Sequence, residues 1–539
     1  MLSDEPSRRQ WLLAAGSLAG TVWLPRSAWS QARFHNYPFA LGVASGSPTH
    51  ESVVLWTRLT AAVGGDTGVS EGLAKPAITV HWELAHDDNF RRPVRSGQAT
   101  ARAELAHSVH VELTGLASDR WYFYRFKVGD ATSPVGRTRT FPAPGAVVQR
   151  LKLAYASCQH WEHGYYSAYR HMLAEDLDVV LFLGDYIYEY SGSSKGVRKV
   201  RAGSAVTLDD YRDRYALYKS DLDLQRMHAA CPWWMTWDDH EVQNDYAGPT
   251  PGDKGAVNPG DPANKADFAA RRAAAYQAYY EHMPLRASVL TRAIQGLTQG
   301  AEMRIYDRVA YGNLATLYLL DDRQYRDPQV CTKGGGLGSS TVNPAQCATW
   351  NDLNRTLLGA AQEAWLDRSF ASGNTAQWNV LGQQTVFGQR DFKAGAGQAL
   401  GNDGWDGYSA ARTRLTEGLQ RHHVSNPVIL GGDVHANWVG HIKADYANPA
   451  SQSIGVEFCG TSITSHGGSN DRLDQVLAEN PHFVFADRER RGYGVAEFTP
   501  KQLTTTLRAV KDATQPDSGV ETLAQFAVQA HFPALQRLR

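Results

Sequence analysis

The residues able to do chemistry in this chain stand in a few short segments, each directly behind an apolar run. Asp185 and Tyr188 follow Val179-Val180-Leu181-Phe182-Leu183-Gly184. A carboxylate and, three residues on, a phenol are hard oxygen donors, and they read as metal ligands. The competing reading is a turn aspartate with a half-buried aromatic. Cys158 stands behind Leu151-Lys152-Leu153-Ala154-Tyr155-Ala156, among polar Ser157, Gln159 and His160. A free cysteine is most often a small buried apolar group, but one at a strand end among polar neighbours is a candidate thiolate ligand. The run Trp237-Asp238-Asp239-His240-Glu241-Val242-Gln243-Asn244 follows Trp233-Trp234-Met235-Thr236. A solvated acidic loop needs no such apolar lead-in. Asp433 and His435 follow Pro427-Val428-Ile429-Leu430-Gly431-Gly432. In an extended backbone the two side chains point the same way, and the paired glycines allow a close backbone approach. The alternative is a turn aspartate beside a hydrogen-bonded core histidine. Arg323, in Asp321-Asp322-Arg323-Gln324, offers a forked donor suited to phosphate oxygens, or else a surface ion pair.

These segments need elements to bring them together. Five consecutive apolar residues, Val179 to Leu183, suit a strand covered on both faces, and α/β sheets place their chemistry just past the carboxyl ends of such strands. Strands are expected likewise at Leu151 to Ala156, Trp233 to Thr236, Tyr311 to Leu320, Trp378 to Gly382, Pro427 to Leu430 and Val456 to Cys459. Helices are expected at Tyr166 to Glu175, Phe268 to His282 and around Gln362 to Leu366. The tail from Val520 to Leu538 reads as helical, able to pack over the site mouth or merely over the sheet. Upstream, short alternating runs at Val53 to Leu59, Ile78 to Leu84, Val109 to Leu113 and Arg120 to Val128 suggest a β-sandwich over residues 34–144, joined by Pro142-Ala143-Pro144-Gly145 to a larger domain over 147–539. Leu113-Thr114-Gly115-Leu116, followed by Tyr122 and Tyr124, looks like the corner of a fibronectin type III domain.

The chain has 539 residues, 15 Trp, 24 Tyr and a formal net charge of −1, so a large core is available and a strongly basic nucleic-acid binder is disfavoured. Ser7-Arg8-Arg9-Gln10 ahead of a short apolar, Gly- and Ala-containing run is the pattern of a twin-arginine export signal, placed over residues 1–32. No segment reads as a membrane span. The mature protein is expected to be a soluble periplasmic or secreted monomer. Five cysteines are too few for a disulfide framework; Cys331 and Cys347, on either side of a Gly/Ser-rich loop, are the expected pair.

Taken together, Cys158, Gly184-Asp185-x-x-Tyr188, Trp237-Asp238-Asp239-His240-Glu241-x-x-Asn244 and Gly432-Asp433-x-His435 resemble the PhoD-type alkaline phosphatases, calcineurin-like metallophosphoesterases related to the purple acid phosphatases. The resemblance implies an α/β metallophosphoesterase core, two β-sheets sandwiched between helices, behind an N-terminal β-sandwich. It implies Fe3+ held by Cys158, Tyr188 and His435, with Asp185 bridging to Ca2+, and Asp239, Asn244 and Asp433 on the calcium side. Asp238 and Glu241 are left to support these ligands. Two metals can clamp a phosphate ester and activate water for in-line attack. Arg323 would then neutralise charge on the phosphate, and His240 would protonate the leaving oxygen or else orient the phosphate by a hydrogen bond. Phosphomonoesters are the expected substrates, with diesters as well. The alternatives are a phosphodiesterase of the phospholipase D kind, acting on lipid or cell-wall phosphodiesters, and a non-catalytic surface-binding protein.

Overall fold

The computed structural model describes residues 36–539, apart from 64–69, 72, 74–75, 193–195, 253–266, 291–301, 373–375 and 449. The twin-arginine segment lies outside the described residues.

Two large sheets carry the chain. In the ten-stranded sheet, Leu151–Ala156, Val179–Leu183 and Trp233–Thr236 run parallel side by side. In the seven-stranded sheet, Ala315–Leu319, Trp378–Gly382, Pro427–Gly431 and Ser453–Cys459 are likewise parallel. The apolar runs split between two cores by residue parity. Leu153, Val179, Leu181 and Leu183 meet Leu317, Val380, Leu430 and Phe458 of the opposite sheet. Ala154, Val180, Phe182 and Met235 point the other way, against Tyr169, Tyr215, Met227 and Tyr279 of the helices Ser167–Met172, Leu208–Lys219, Leu222–Ala230 and Phe268–His282. Tyr318, Leu381 and Ile429 face Leu366, Phe370, Leu415 and Leu419 of the helices Gly359–Ala371 and Ser409–Arg421. The order is helices, sheet, sheet, helices. Strands covered on both faces have no polar side, so they read as unbroken apolar runs.

The N-terminal strands divide between two sheets. Ala77–Ala85, Pro93–Arg102, Trp121–Val128 and Gly136–Arg139 form a separate sheet. Val43–Gly46, Val53–Arg58 and Ser108–Leu113 pack against it through Val53, Leu55, Val111, Trp82, Tyr124 and Phe126. These three strands also join the ten-stranded sheet, because Val43–Gly46 pairs in parallel with Trp233–Thr236. One face of the sandwich is therefore continuous with the large sheet. The Tyr122 hydroxyl donates to the Ala117 carbonyl at 3.3 Å, as at a tyrosine corner.

Two expectations are corrected. The run Tyr311 to Leu320 is not one strand: Gly312, at φ +59°, turns the chain between Asp307–Tyr311 and Ala315–Leu319, which pair as a hairpin. The tail is not helical. Val520–Gln529 and Phe532–Arg537 are antiparallel strands at the edge of the ten-stranded sheet. Ala524, Phe526 and Val528 enter the core between the sheets at intervals of two, the period of a strand. Cys331 and Cys347 are joined by a disulfide, and Cys158, Cys231 and Cys459 are free and buried.

Candidate metal centre

Each candidate residue sits in the turn that follows a parallel strand. Cys158 comes two residues after Leu151–Ala156, Asp185 two after Val179–Leu183, Asp238 and Asp239 after Trp233–Thr236, and Asp433 two after Pro427–Gly431. The turns are tight. Cys158 (φ +58°), Asp185 (+56°), Asp433 (+65°) and His435 (+51°) all occupy left-handed backbone. That conformation costs a non-glycine residue about 1–3 kcal/mol and persists only where the surroundings hold it. Four instances among the candidate ligands mark a site shaped for something other than stability. Gly184 (φ +109°) and Gly432 allow the turns to crowd: a Cβ on the first would overlap Asp238, and on the second the Ser157 side chain.

The donors form three overlapping groups, each with atoms within 4.8 Å of one another: Cys158, Asp185 and His435; Asp185, Asp239 and His240; and Asp238, Asp239 and Asp433. Asp185 belongs to two of them. Tyr188 joins the first group, its hydroxyl 2.8 Å from Asp185 Oδ2 and 3.0 Å from His435 Nε2. His435 Nδ1 lies 2.7 Å from the His466 carbonyl, which holds Nδ1–H as donor and leaves the Nε2 lone pair facing the other ligands. Asp433 and His435 thus do not share a group. The strand ends at Gly431, and two left-handed residues send the side chains to different places. The extended backbone expected there is not present. Asn244, expected on the calcium side, is half-buried and donates its backbone N–H to Glu189 Oε1 at 2.8 Å.

Around this centre negative charge is in excess. Asp238, Asp239, Asp403 and Asp433 are packed about one guanidinium, that of Arg323, with Asp185 alongside Asp239. Burial raises the pKa of Asp185 and Asp238 far above the carboxylate range, and their acidic neighbours add to it. Burial and then Asp185 push the Cys158 thiol up as well. Asp238 Oδ2 is buried without a hydrogen-bond partner. An acceptor buried and unpaired costs about 1–3 kcal/mol. Excess charge, an orphaned carboxylate oxygen and a thiol, phenol and imidazole on one point fit cations.

Arg323 itself is buried, and its donors face carboxylates. Nε bonds Asp238, Nη1 bonds Asp403 Oδ2 at 2.6 Å and Nη2 bonds Asp433 Oδ1 at 3.1 Å. Its geometry is that of a counter-charge which aligns the ligands. His240 Nδ1 lies 2.8 Å from Glu189 Oε2, which leaves Nε2 toward Asp185 and Asp239. Burial opposes charge on this ring, but Asp185, Asp239 and Glu189 outweigh it and raise its pKa well above the ordinary value. Glu241 stays behind the ligands. Its carboxylate accepts the backbone N–H groups of Asp185 at 3.1 Å, Tyr186 at 2.5 Å and Asp238 at 2.7 Å, which ties two strand ends together.

Several contributors escape the sequence. Glu189 is adjacent to Tyr188 and could have been included with it. Asp403 gathers Arg323, Arg326 and Gln329, but its segment Gly401-Asn402-Asp403-Gly404 lacks an apolar lead-in. Thr385 donates to Asp433 Oδ2 at 2.8 Å, and Ser465 to Tyr188 Oη at 2.7 Å. His160 lies against Tyr188, His163 stacks on His160 at 3.7 Å and His466 on His163 at 3.8 Å.

With this geometry established, comparison with known proteins gives its lineage. Residues 153–507 match the model of the PhoD-like phosphatase family, and residues 25–142 match that of the PhoD-like phosphatase N-terminal domain. The chain belongs to the PhoD-like phosphatases. It is a phosphohydrolase on that ground. It is 44% identical to alkaline phosphatase D of Bacillus subtilis (strain 168) over 548 residues, 98% of this chain and 89% of that protein. A solved structure of PhoD superposes with a TM-score of 0.85 at 44% identity, covering 94% of this chain and 93% of that one. All the residues in the three donor groups fall inside the segment matched by the phosphatase family.

Proposed function

We propose that this protein is an exported metallophosphoesterase that releases phosphate from monoesters with the help of Fe3+ and Ca2+. The observation that carries the reading is the sharing of Asp185 between two donor groups of different character. Cys158, Tyr188 and His435 on one side suit iron; on the other, Asp239 links Asp185 to the group of Asp238 and Asp433, and the carboxylates Asp239 and Asp433, with Asn244, suit calcium. Bound there, such cations would supply Lewis acidity toward the phosphate and lower the pKa of water.

The protein's own residues supply the rest. Asp185 holds the two halves in register. Arg323 balances the charge of Asp238 and Asp433 and fixes their oxygens. His240, oriented by Glu189 through Nδ1, donates a proton from Nε2 to the leaving oxygen. Thr385 and Ser465 hold Asp433 and the Tyr188 hydroxyl in place.

Export is part of the same reading. The twin-arginine segment precedes the described residues, and a Cys331–Cys347 disulfide suits an oxidising compartment. No described helix is long and apolar enough to cross a membrane.

Hydrolysis of p-nitrophenyl phosphate and bis(p-nitrophenyl) phosphate, measured side by side, tests the substrate class. The monoester should have the larger kcat/KM. A preference for the diester would move the protein to the phosphodiesterase reading, and hydrolysis of neither would remove the proposal.

A further inference from the structure

We infer that Arg390 forms an anion-binding subsite for the leaving-group side of the substrate, so that this enzyme favours phosphate esters whose alcohol carries a second negative charge. This rests on the phosphohydrolase reading above.

A cavity of about 490 Å³ opens beside Asp433, walled by Thr385, Arg390, Phe392, Asp403, Trp405 and the Ser339-Ser340-Thr341 rim. It is large enough for a small organic ligand rather than a phosphate alone. The rim lies inside the loop closed by the Cys331–Cys347 disulfide. It is pinned by Ser339 N–H on Asp245 Oδ2 at 2.8 Å and Ser340 N–H on Asn402 Oδ1 at 2.6 Å.

Four carboxylates reach this cavity, and each already has donors. Asp245 takes Ser339 N–H. Asp403 takes Arg323, Arg326 and Gln329. Asp406 takes Arg412 at 2.6 Å and the backbone N–H of Arg390 at 3.0 Å. Asp433 takes Thr385 and Arg323.

Arg390 is different. Among the described residues its guanidinium makes no hydrogen bond and no ion pair, and its Nε is buried without an acceptor. The group rests on the rings of Phe392 at 4.9 Å and Trp438 at 5.3 Å. Those faces hold it in place and leave its N–H groups unpaired. Burial lowers its pKa, although Asp406 opposes the shift. A forked cation with unused donors on a cavity wall is a receptor for an oxyanion, phosphate or carboxylate. Because Asp433 borders the same cavity, one ligand can place its reacting phosphoryl group at the metal centre and its second charge at Arg390. Phe392, partly exposed at 38%, offers an apolar surface for the carbon skeleton between the two charges.

The test is kcat/KM of the full-length, natively purified protein for fructose 1,6-bisphosphate and for fructose 6-phosphate. The wild type should favour the bisphosphate. Arg390→Gln should reduce the ratio of the two constants about tenfold or more, as expected for loss of a charge-assisted pair. Arg390→Lys, which keeps the charge and loses the fork, should fall between; if the glutamine protein does not fold, the lysine protein decides in the same way. An unchanged ratio would overturn the inference. Wild-type protein that hydrolysed p-nitrophenyl phosphate but neither fructose ester would overturn this inference and leave the phosphohydrolase reading standing; hydrolysis of none of the three would remove both.

Discussion

Asp185→Asn is expected to reduce phosphomonoester turnover on the order of 10³-fold and to deplete both cations together. The residue is the one carboxylate common to the thiolate–imidazole group and to the Asp239–His240 group. Asparagine keeps the volume and can still accept from the Tyr188 hydroxyl, now 2.8 Å from Asp185 Oδ2, so the fold should survive. What is lost is the negative charge shared by the two donor groups. Metal stabilisation of a phosphoryl transition state is worth several kcal/mol, and about 1.4 kcal/mol is tenfold in rate, which gives the expected size. Steady-state kinetics and elemental analysis of the same preparation are the measurements. Loss of one metal with retention of the other would show that Asp185 does not bridge.

His240→Ala is expected to lower kcat by about 10²–10⁴, the range for removing a general acid, while metal content stays near that of the wild type. The geometry separates the two quantities. Glu189 fixes Nδ1 at 2.8 Å, so the ring can present a proton from Nε2. The other donors around Asp185, namely Cys158, Tyr188, His435 and Asp239, are untouched by the substitution. Glu189→Gln should give a smaller loss than His240→Ala, since an amide can still orient the ring but no longer supports its charge. Equal loss of metal and turnover in His240→Ala would make the histidine a ligand and remove it from proton transfer.

The sequence shows the strand ends well because a strand buried on both faces has only one place to put polar residues. Val179–Leu183 and Pro427–Gly431 are unbroken apolar runs, and the aspartates behind them lie in the centre. The grouping of ligands was less legible. Asp433 and His435 diverge because two left-handed residues replace an extended backbone, and no local pattern announces a positive φ at a histidine. Arg323 reads first as a phosphate clamp, with an ion pair as the alternative, until Asp238, Asp403 and Asp433, 80 or more residues away in the chain, close around it. Long-range charge neighbours of this kind leave no periodicity behind. The tail misled for a different reason: Val520–Gln529 has small and polar residues compatible with a helix, while Ala524, Phe526 and Val528 reach the core between the sheets at the spacing of a strand.

Metal content and phosphatase activity of the natively purified protein, followed through chelation and re-addition of each cation, test the centre most directly. Iron and calcium should both be present, activity should fall as they are removed, and restoring them should return it. Full hydrolysis of a phosphomonoester by protein freed of every bound cation would contradict the proposed chemistry.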